Sequence, residues 1–404
     1  MITSPAFSGR LYAVLGLARS GLASVEALVA SGARVTAWDN REEARDAVAD
    51  KAQIADLLEI DLAGYDGIVV SPGVPLNRHP IAAKARAAGV PLIGDIELFA
   101  QARSALPPHK VVGITGTNGK STTTALVHHI LETAGVPTAM GGNIGLPILA
   151  QDPLPQGGVY VLELSSYQLD LTHSLDCDVA VLLNITPDHL DRYADFNAYA
   201  ASKRRLFDMQ SPGRTAIVGD EGAVDQSNWP ALQGPHNAQN ARAAIAVCEA
   251  LGLAGGDIGE GLATYPGLPH RMERVREKDG ILFVNDSKAT NPDSTAPALA
   301  AFPHVHWIVG GLAKTKGLGP CEDQLGHVRA AYTIGEAGPM FAKLLEGRVP
   351  VKESELLVTA VNEAAGAAAP GEVVLLSPAC ASFDQFRDYE ARGDAFRAAV
   401  EALA

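Results

Sequence analysis

The chain is poor in aromatic side chains, 5% of 404 residues, and it lacks paired cysteines, surplus positive charge and any long apolar run. Each deficit removes a class of function. Cys177, Cys248, Cys321 and Cys380 stand far apart with no CxxC spacing, which argues against zinc sites and disulfide frameworks and for a reducing compartment, the cytoplasm. Lys and Arg number 32 against 46 Asp and Glu, a net charge of −14, so a nucleic-acid backbone would be repelled. No stretch of 18 apolar residues exists, so no membrane-spanning helix is expected. The apolar stretch near the start breaks at Gly16 and Arg19, and it reads as a first strand and turn rather than a secretion signal. A phosphorylated small molecule stays open as a ligand, because loop amides, a few local cations and a metal hold it whatever the total charge.

What is present points to an α/β enzyme. The chain is 47% hydrophobic, enough for proper cores, and its 40 Gly and 25 Pro suit many strand–loop–helix turns. Length favours two to three domains. Strands are expected at 11–15, 34–38 and 67–70, then at 111–114, 159–164 and 179–183, then at 281–284, 305–309, 331–334 and 373–376. Helices are expected between them, at 21–30, 121–132, 198–209 and 237–251 among others. This alternation predicts parallel, doubly wound sheets. Pro107 and Pro108 mark a linker, and the Gly267-Leu-Pro turn a second boundary, giving domains 1–104, 105–267 and 268–404.

The strongest motif is Val111-Val-Gly-Ile-Thr-Gly-Thr-Asn-Gly-Lys-Ser-Thr122. A strand runs into a Gly-rich turn and a Lys-Ser pair opens a helix. Backbone amides of Gly116, Thr117, Asn118 and Gly119 would curl around phosphate oxygens, Lys120 would reach the β- and γ-phosphates, and the Ser121 hydroxyl would ligate Mg²⁺, with Thr122 next in the helix. The strict phosphate-loop spacing wants glycine where Ile114 stands; glycines lie at 113, 116 and 119 instead.

Further stretches follow in order: Gly142-Asn143-Ile-Gly145, Glu163-Leu-Ser165-Ser-Tyr-Gln168, Asn184-Ile-Thr-Pro-Asp-His189-Leu-Asp-Arg192, Pro269-His-Arg271, Asn285-Asp286-Ser-Lys288-Ala-Thr290-Asn291 and Ser377-Pro-Ala-Cys-Ala-Ser382-Phe383. Together with the loop they resemble the Mur ligases, over nearly the whole chain. The resemblance implies three domains: a Rossmann-like UDP-binding domain, a central P-loop ATPase-type domain and a C-terminal Rossmann-like domain. It also implies ATP-dependent ligation of D-glutamate to UDP-N-acetylmuramoyl-L-alanine through an acyl phosphate, in peptidoglycan precursor synthesis and so in cell-wall growth, shape and division.

The resemblance also assigns residues. Glu163 and Ser121 would hold one magnesium ion and His189 a second. Lys203, which the helical pattern alone reads as a solvated lysine, matches a lysine that the family carbamylates for metal binding and catalysis. Asn237, Arg271 and Asp286 would meet ATP. Lys288, Thr290 and Lys314 would lie near the incoming glutamate, with Lys316 a competing partner for its carboxylate. Ser382 and Phe383 match positions around the glutamate side chain. Tyr389 stands where phenylalanine is usual, its hydroxyl bonding the ligand or facing water. Asn143, Ser165 and Gln168 would face the UDP substrate.

The first domain carries Gly16-Leu-Ala-Arg19-Ser20-Gly21 and Asp39-Asn40-Arg41. These fit a UDP site, with Gly73 in the Ser71-Pro-Gly73 turn as a further contact. They also fit a dinucleotide site, with Asp39 about 20 residues after the loop on a ribose, and Ser71-Pro-Gly73 also fits a plain tight turn. The expected partners are UDP-N-acetylmuramoyl-L-alanine, D-glutamate and ATP, acted on by a monomer. The competing functions are a sister ligase using another amino acid, including L-glutamate, and a P-loop ATPase that senses UDP-sugars.

Overall fold

Ten short apolar runs become the inner strands of three sheets in the computed structural model, which describes residues 1–188, 191–220 and 222–403. The first sheet holds β1 (Leu11–Leu15), β2 (Arg34–Trp38), β3 (Gln53–Ile54), β4 (Gly67–Val70) and β5 (Leu92–Ile93), in the order β3-β2-β1-β4-β5. The second holds β6 (His109–Thr115), β7 (Thr138–Gly142), β8 (Gly158–Glu163), β9 (Val179–Leu182) and β10 (Thr215–Val218), in the order β10-β9-β6-β8-β7. All pairings in both are parallel.

The third sheet contains β11 (Glu273–Lys278), β12 (Ile281–Asn285), β13 (Val305–Gly310), β14 (Val328–Ile334), β15 (Val351–Glu355) and β16 (Val373–Leu376), in the order β11-β12-β16-β13-β14-β15. Here β11 pairs antiparallel with β12, and the other neighbours are parallel. The doubly wound α/β expectation therefore holds, with one antiparallel edge added.

Every expected strand is present, and the six that the apolar pattern did not mark (β3, β5, β7, β10, β11 and β15) are the two edges of each sheet. A central parallel strand is covered on both faces and needs an unbroken apolar run; an edge strand does not. β4, Gly-Ile-Val-Val, is buried at all four positions, whereas β11, Glu-Arg-Val-Arg-Glu-Lys, has no fully buried residue.

By internal contacts the chain divides into two compact units, Met1–Asp220 with Arg242–Gly261, and Glu221–Ala241 with Leu262–Ala404. In the first unit one apolar core joins the two sheets, running from Tyr12, Val14 and Val69 through Phe99 to Tyr160, Leu162 and Leu206. Phe99 and Tyr160 meet edge to face, 5.1 Å between ring centres. In the second unit both faces of the sheet are covered: Trp307 and Val309 of β13 point into one core, and Ile308 into the other.

Candidate active site

In the first unit, β6 ends at Thr115 and the chain turns through Gly116 and Gly119 into the helix Lys120–Thr133. Gly119 has φ 83°, a left-handed conformation that a side chain would penalise. The turn is stitched to the segment leaving β9. The Thr117 amide donates to the Asn184 carbonyl (2.9 Å), the Asn118 amide to Asn184 Oδ1 (2.9 Å), and Asn184 Nδ2 to the Asn118 carbonyl (3.1 Å). The Thr186 amide donates to Thr117 Oγ1 (3.0 Å). These bonds fix the loop's shape before any ligand arrives. Gly113 serves packing instead: a β-carbon there would lie 2.7 Å from Cys177 Sγ.

Two lysines converge on this turn. Lys120 Nζ donates to the carbonyls of Gly116 (2.8 Å) and Thr117 (2.7 Å). Lys203, from the helix Phe196–Asp208, donates to the same Gly116 carbonyl (2.8 Å) and lies 4.8 Å from the centre of the Tyr199 ring. Lys203 is only 2% exposed, which overturns the reading of a solvated helix lysine: its face of the helix packs inward. Burial pushes its amine down to about 7, the Lys120 charge adds to the effect, and Asp188, Asp170 and Glu163 oppose it. The Tyr199 hydroxyl shares a hydrogen bond with Thr117 Oγ1 (3.0 Å).

Glu163 closes β8, in register with Ile114 of β6. It is buried; its Oε1 accepts from Asn143 Nδ2 (2.9 Å), while Oε2 is buried without a hydrogen-bond partner among the described residues. Stranding a carboxylate oxygen in this way costs about 1–3 kcal/mol or more, and a cation is the usual remedy. Ser121, also buried, opens the helix after β6. An orphaned carboxylate oxygen and a helix-start hydroxyl beside a phosphate loop fit Mg²⁺, which takes few protein ligands and completes its shell with phosphate and water. His189 lies outside the described residues.

The candidate UDP residues also lie in the first unit. Arg19 and Ser20 open the helix Arg19–Ala30, whose N-terminus has no side-chain cap, and the Arg19 guanidinium donates to the Gly145 carbonyl. The Asp39 carboxylate accepts from the amides of Leu17 (2.7 Å) and Arg41 (2.9 Å). Partial burial works against it, but those amides and the Arg41 guanidinium hold it below the usual carboxylate range. Asn40 sits between them. Ser71 Oγ donates to the Gly16 carbonyl (2.8 Å), so the Ser71-Pro-Gly73 turn is fastened to the first glycine turn. Ser165 and Gln168 form a reciprocal capping box on the helix Ser166–Asp170, and Thr122 lies in the first turn of the helix Lys120–Thr133.

In the second unit, Asp286 follows β12 and accepts from Ser377 Oγ (2.8 Å) and the Met272 amide (3.2 Å). Burial pushes its carboxyl up to about 7. Arg271 lies between His270 and Met272, both in left-handed backbone. Asn237 is buried, donating to the Gln233 carbonyl (3.1 Å) and accepting from Asn240 (3.1 Å). Lys288 Nζ donates to the Tyr389 hydroxyl (3.1 Å) and sits 4.6 Å from that ring's centre. Lys314 Nζ donates to Thr290 Oγ1 (3.2 Å). Ser382 is buried, and Phe383 is 69% exposed.

Sequence reasoning gave no role to Asn184, Tyr199 or Arg392. Arg392 is buried and donates to Ser287 Oγ (3.0 Å) and to the carbonyls of Ser287 (2.8 Å), Cys380 (3.0 Å) and Ala381 (3.2 Å). It thus joins the loop after β12 to the loop after β16. Asn184 carried a signal, its place at the head of the 184–192 motif; Arg392 carried none.

Three family models match the three sheets in turn: "Mur ligase MurD-like, N-terminal domain" at residues 10–94, "Mur ligase middle domain" at 114–229, and "Mur ligase, glutamate ligase domain" at 270–380. The chain belongs to the Mur ligase family. Among curated members, the UDP-N-acetylmuramoylalanine--D-glutamate ligases of Novosphingobium aromaticivorans and Sphingopyxis alaskensis are each 63% identical, covering all of this chain and 97% and 100% of theirs. That of Zymomonas mobilis is 57% identical over both full lengths. The Mur ligase fold extends to solved structures of low identity. The UDP-N-acetylmuramate-alanine ligase of Thermotoga maritima is 16% identical, with 97% of this chain and 99% of that one covered and a TM-score of 0.59. The MurF ligase of the same organism, in complex with ADP, is 16% identical, with 99% of each chain covered and a TM-score of 0.58.

Proposed function

We propose that this chain ligates D-glutamate to UDP-N-acetylmuramoyl-L-alanine at the expense of ATP, as a cytoplasmic monomer in peptidoglycan precursor synthesis. The observation that carries the reading is the pair of lysines on the Gly116 carbonyl beside the orphaned Glu163 oxygen, in a chain 57–63% identical over its full length to ligases of that name. On this reading the working domains are 1–104 for the UDP-sugar, 105–267 for ATP and 268–404 for the amino acid.

The Thr117 and Asn118 amides are taken up by Asn184, so the amides of residues 119–121 at the helix start face the triphosphate, and Lys120 turns from the loop carbonyls to the β- and γ-oxygens. The L-alanine carboxylate attacks the γ-phosphorus in line; the bond to the bridging oxygen breaks and ADP is left. The glutamate amine then adds to the acyl phosphate carbon, loses a proton, and phosphate departs. Ser121 and Glu163 would hold one magnesium ion and His189 a second, and these would neutralise charge on the transferring phosphoryl group. Lys203, whose amine burial pushes down to about 7, suits carbamylation: the lone pair of the neutral amine adds to the carbon of CO₂, a proton leaves, and an anionic carbamate results. A mass shift on Lys203 in bicarbonate tests this, and an unmodified amine in the fully liganded protein rejects it.

Arg19, Ser20, Asp39, Asn40, Arg41 and Gly73 form the UDP end of the substrate site, with Asn143, Ser165 and Gln168 along the muramoyl end. Asn237, Arg271 and Asp286 serve ATP. Lys288, Thr290, Lys314, Ser382, Phe383 and Tyr389 receive glutamate, with Lys314 favoured over Lys316 by its bond to Thr290. The deciding assay is ADP and phosphate release from ATP and UDP-N-acetylmuramoyl-L-alanine, screened against D- and L-amino acids. Release that requires both the muramoyl substrate and D-glutamate is expected. Release without an amino acid would mean an ATPase, and equal use of L-glutamate would remove the stereochemical assignment.

A further inference from the structure

The segment that leaves β9 beside the phosphate loop reaches, at its far end, the turn that follows β4. Arg192 Nη2 donates to the Gly73 carbonyl (3.1 Å), and its guanidinium carbon lies 4.6 Å from the centre of the Tyr167 ring. Tyr167 in turn stacks on Tyr193, with ring centres 6.2 Å apart and planes 12° from parallel, and the Tyr193 hydroxyl donates to Asp170 Oδ2 (2.7 Å). A second tie runs the other way: Asn77 Nδ2 donates to the Asp191 carbonyl (3.0 Å). The peptide between Gly73 and Val74 is thereby pinned at both ends. Its carbonyl accepts from Arg192, and its N–H donates to the Ser71 carbonyl (3.0 Å). The same Ser71 holds the Gly16 turn through its hydroxyl.

We propose that Arg192 is a positioning residue for the nucleotide-sugar substrate: it touches no reacting atom, but it fixes the 71–77 turn in the conformation that binds the UDP-muramoyl ligand. The inference rests on the proposed function for the identity of that ligand. Arginine suits the task because its plane stacks on Tyr167 while its edge donates along a set direction. A charge-assisted bond to a carbonyl is stronger than a neutral one, and it restrains an exposed glycine turn that would otherwise sample many conformations. The tie also shares its chain segment with Asn184 and Thr186, which hold the phosphate loop, so one strand exit supports both substrate sites.

The test uses the full chain and its Arg192→Ala and Asn77→Ala variants, with UDP-N-acetylmuramoyl-L-alanine as the probe. Direct titration and steady-state kinetics should show Kd and KM for the muramoyl substrate raised about tenfold in Arg192→Ala and about threefold in Asn77→Ala. KM for ATP should stay within about twofold, and millimolar methylguanidinium should restore part of the loss in Arg192→Ala. Hydrogen exchange at the Gly73, Val74, Leu76, Asn77 and Arg78 amides should quicken in Arg192→Ala, with no change along the helix Lys120–Thr133. Unchanged muramoyl affinity in a variant of a wild type that binds this ligand would overturn the inference alone. A parallel rise in KM for ATP together with a fallen melting point would reduce Arg192 to general scaffolding. A wild type that binds no muramoyl nucleotide would overturn the proposed function and, with it, the ligand named here.

Discussion

Lys120 and Lys203 donate to one and the same oxygen, the Gly116 carbonyl, each at 2.8 Å. Two ammonium groups on one acceptor repel, and the second of them is buried. Replacing Lys120 by Met should therefore raise the Lys203 pKa from about 7, yet leave it below 10.5, because burial is the larger cause. Competitive acylation of Lys203 against pH, followed by mass spectrometry, reads this directly; an unmoved midpoint would dissolve the coupling. The same shift sets a sign for stability. Between about 7 and 10.5 the unfolded chain holds a proton that the folded chain has lost, so Lys203 makes the fold more stable as pH climbs through that window. Lys203→Met should flatten the slope.

Lys120→Ala should cut ADP release by about 10²–10³-fold, as expected for loss of a charge aimed at a transferring phosphoryl group. Its circular dichroism should match the parent, since the bonds of Lys120 to the Gly116 and Thr117 carbonyls lie within its own turn. Turnover near the parent rate would refute the role of the loop.

Asp286 predicts the opposite pH behaviour to Lys203. Its carboxyl is pushed up by burial to about 7 from an ordinary 3.8. The folded chain therefore keeps a proton that the unfolded one gives up, and the stability that Asp286 contributes is full below 3.8 and lost as pH rises to about 7. Asp286→Asn mimics the protonated form. It should melt higher than the parent at pH 8 and match it near pH 4, while binding ATP more weakly. A constant difference in melting point across that range would contradict the shifted carboxyl.

Lys314→Ala should raise the KM for D-glutamate about tenfold or more while moving the KM for ATP little, since on the proposed reading it removes one charge partner of the glutamate carboxylate. Equal effects on both substrates would assign Lys314 to closure of the domain rather than to the amino acid.

Arg392→Ala should destabilise the protein by about 3 kcal/mol, because three carbonyls and a hydroxyl lose a buried charged donor at once. Chemical denaturation measures it. Arg392→Lys should recover only a fraction, since one ammonium cannot reach acceptors on both loops. A cost under about 0.5 kcal/mol, the scale of ordinary surface changes, would count against the tie.

The sequence made the middle of each sheet readable and its margins not. Val-Ala-Val-Leu at 179–182 is apolar at every position because neighbours and helices cover it on all sides. Thr-Ala-Ile-Val at 215–218 is equally β-prone, but it lies at an edge with no fully buried residue, and only pairing with β9 makes it a strand. The site divides in the same way. Glu163, Lys120 and Ser121 belong to contiguous motifs whose chemistry follows from residue order. The burial of Lys203 was not legible, because its partners Gly116 and Lys120 lie more than 80 positions away. Arg392 shows the limit most plainly: four acceptors from two distant loops define it, and its surrounding residues, Glu390-Ala-Arg-Gly-Asp394, look like any amphipathic helix surface.

Both margins of the third sheet, Glu-Arg-Val-Arg-Glu-Lys at β11 and Val-Lys-Glu-Ser-Glu at β15, are fringed with ionised side chains. An intruding strand would have to strip water from those charges before its first amide could pair. The charges on both edges thus oppose edge-to-edge pairing of this sheet with a second copy of the chain.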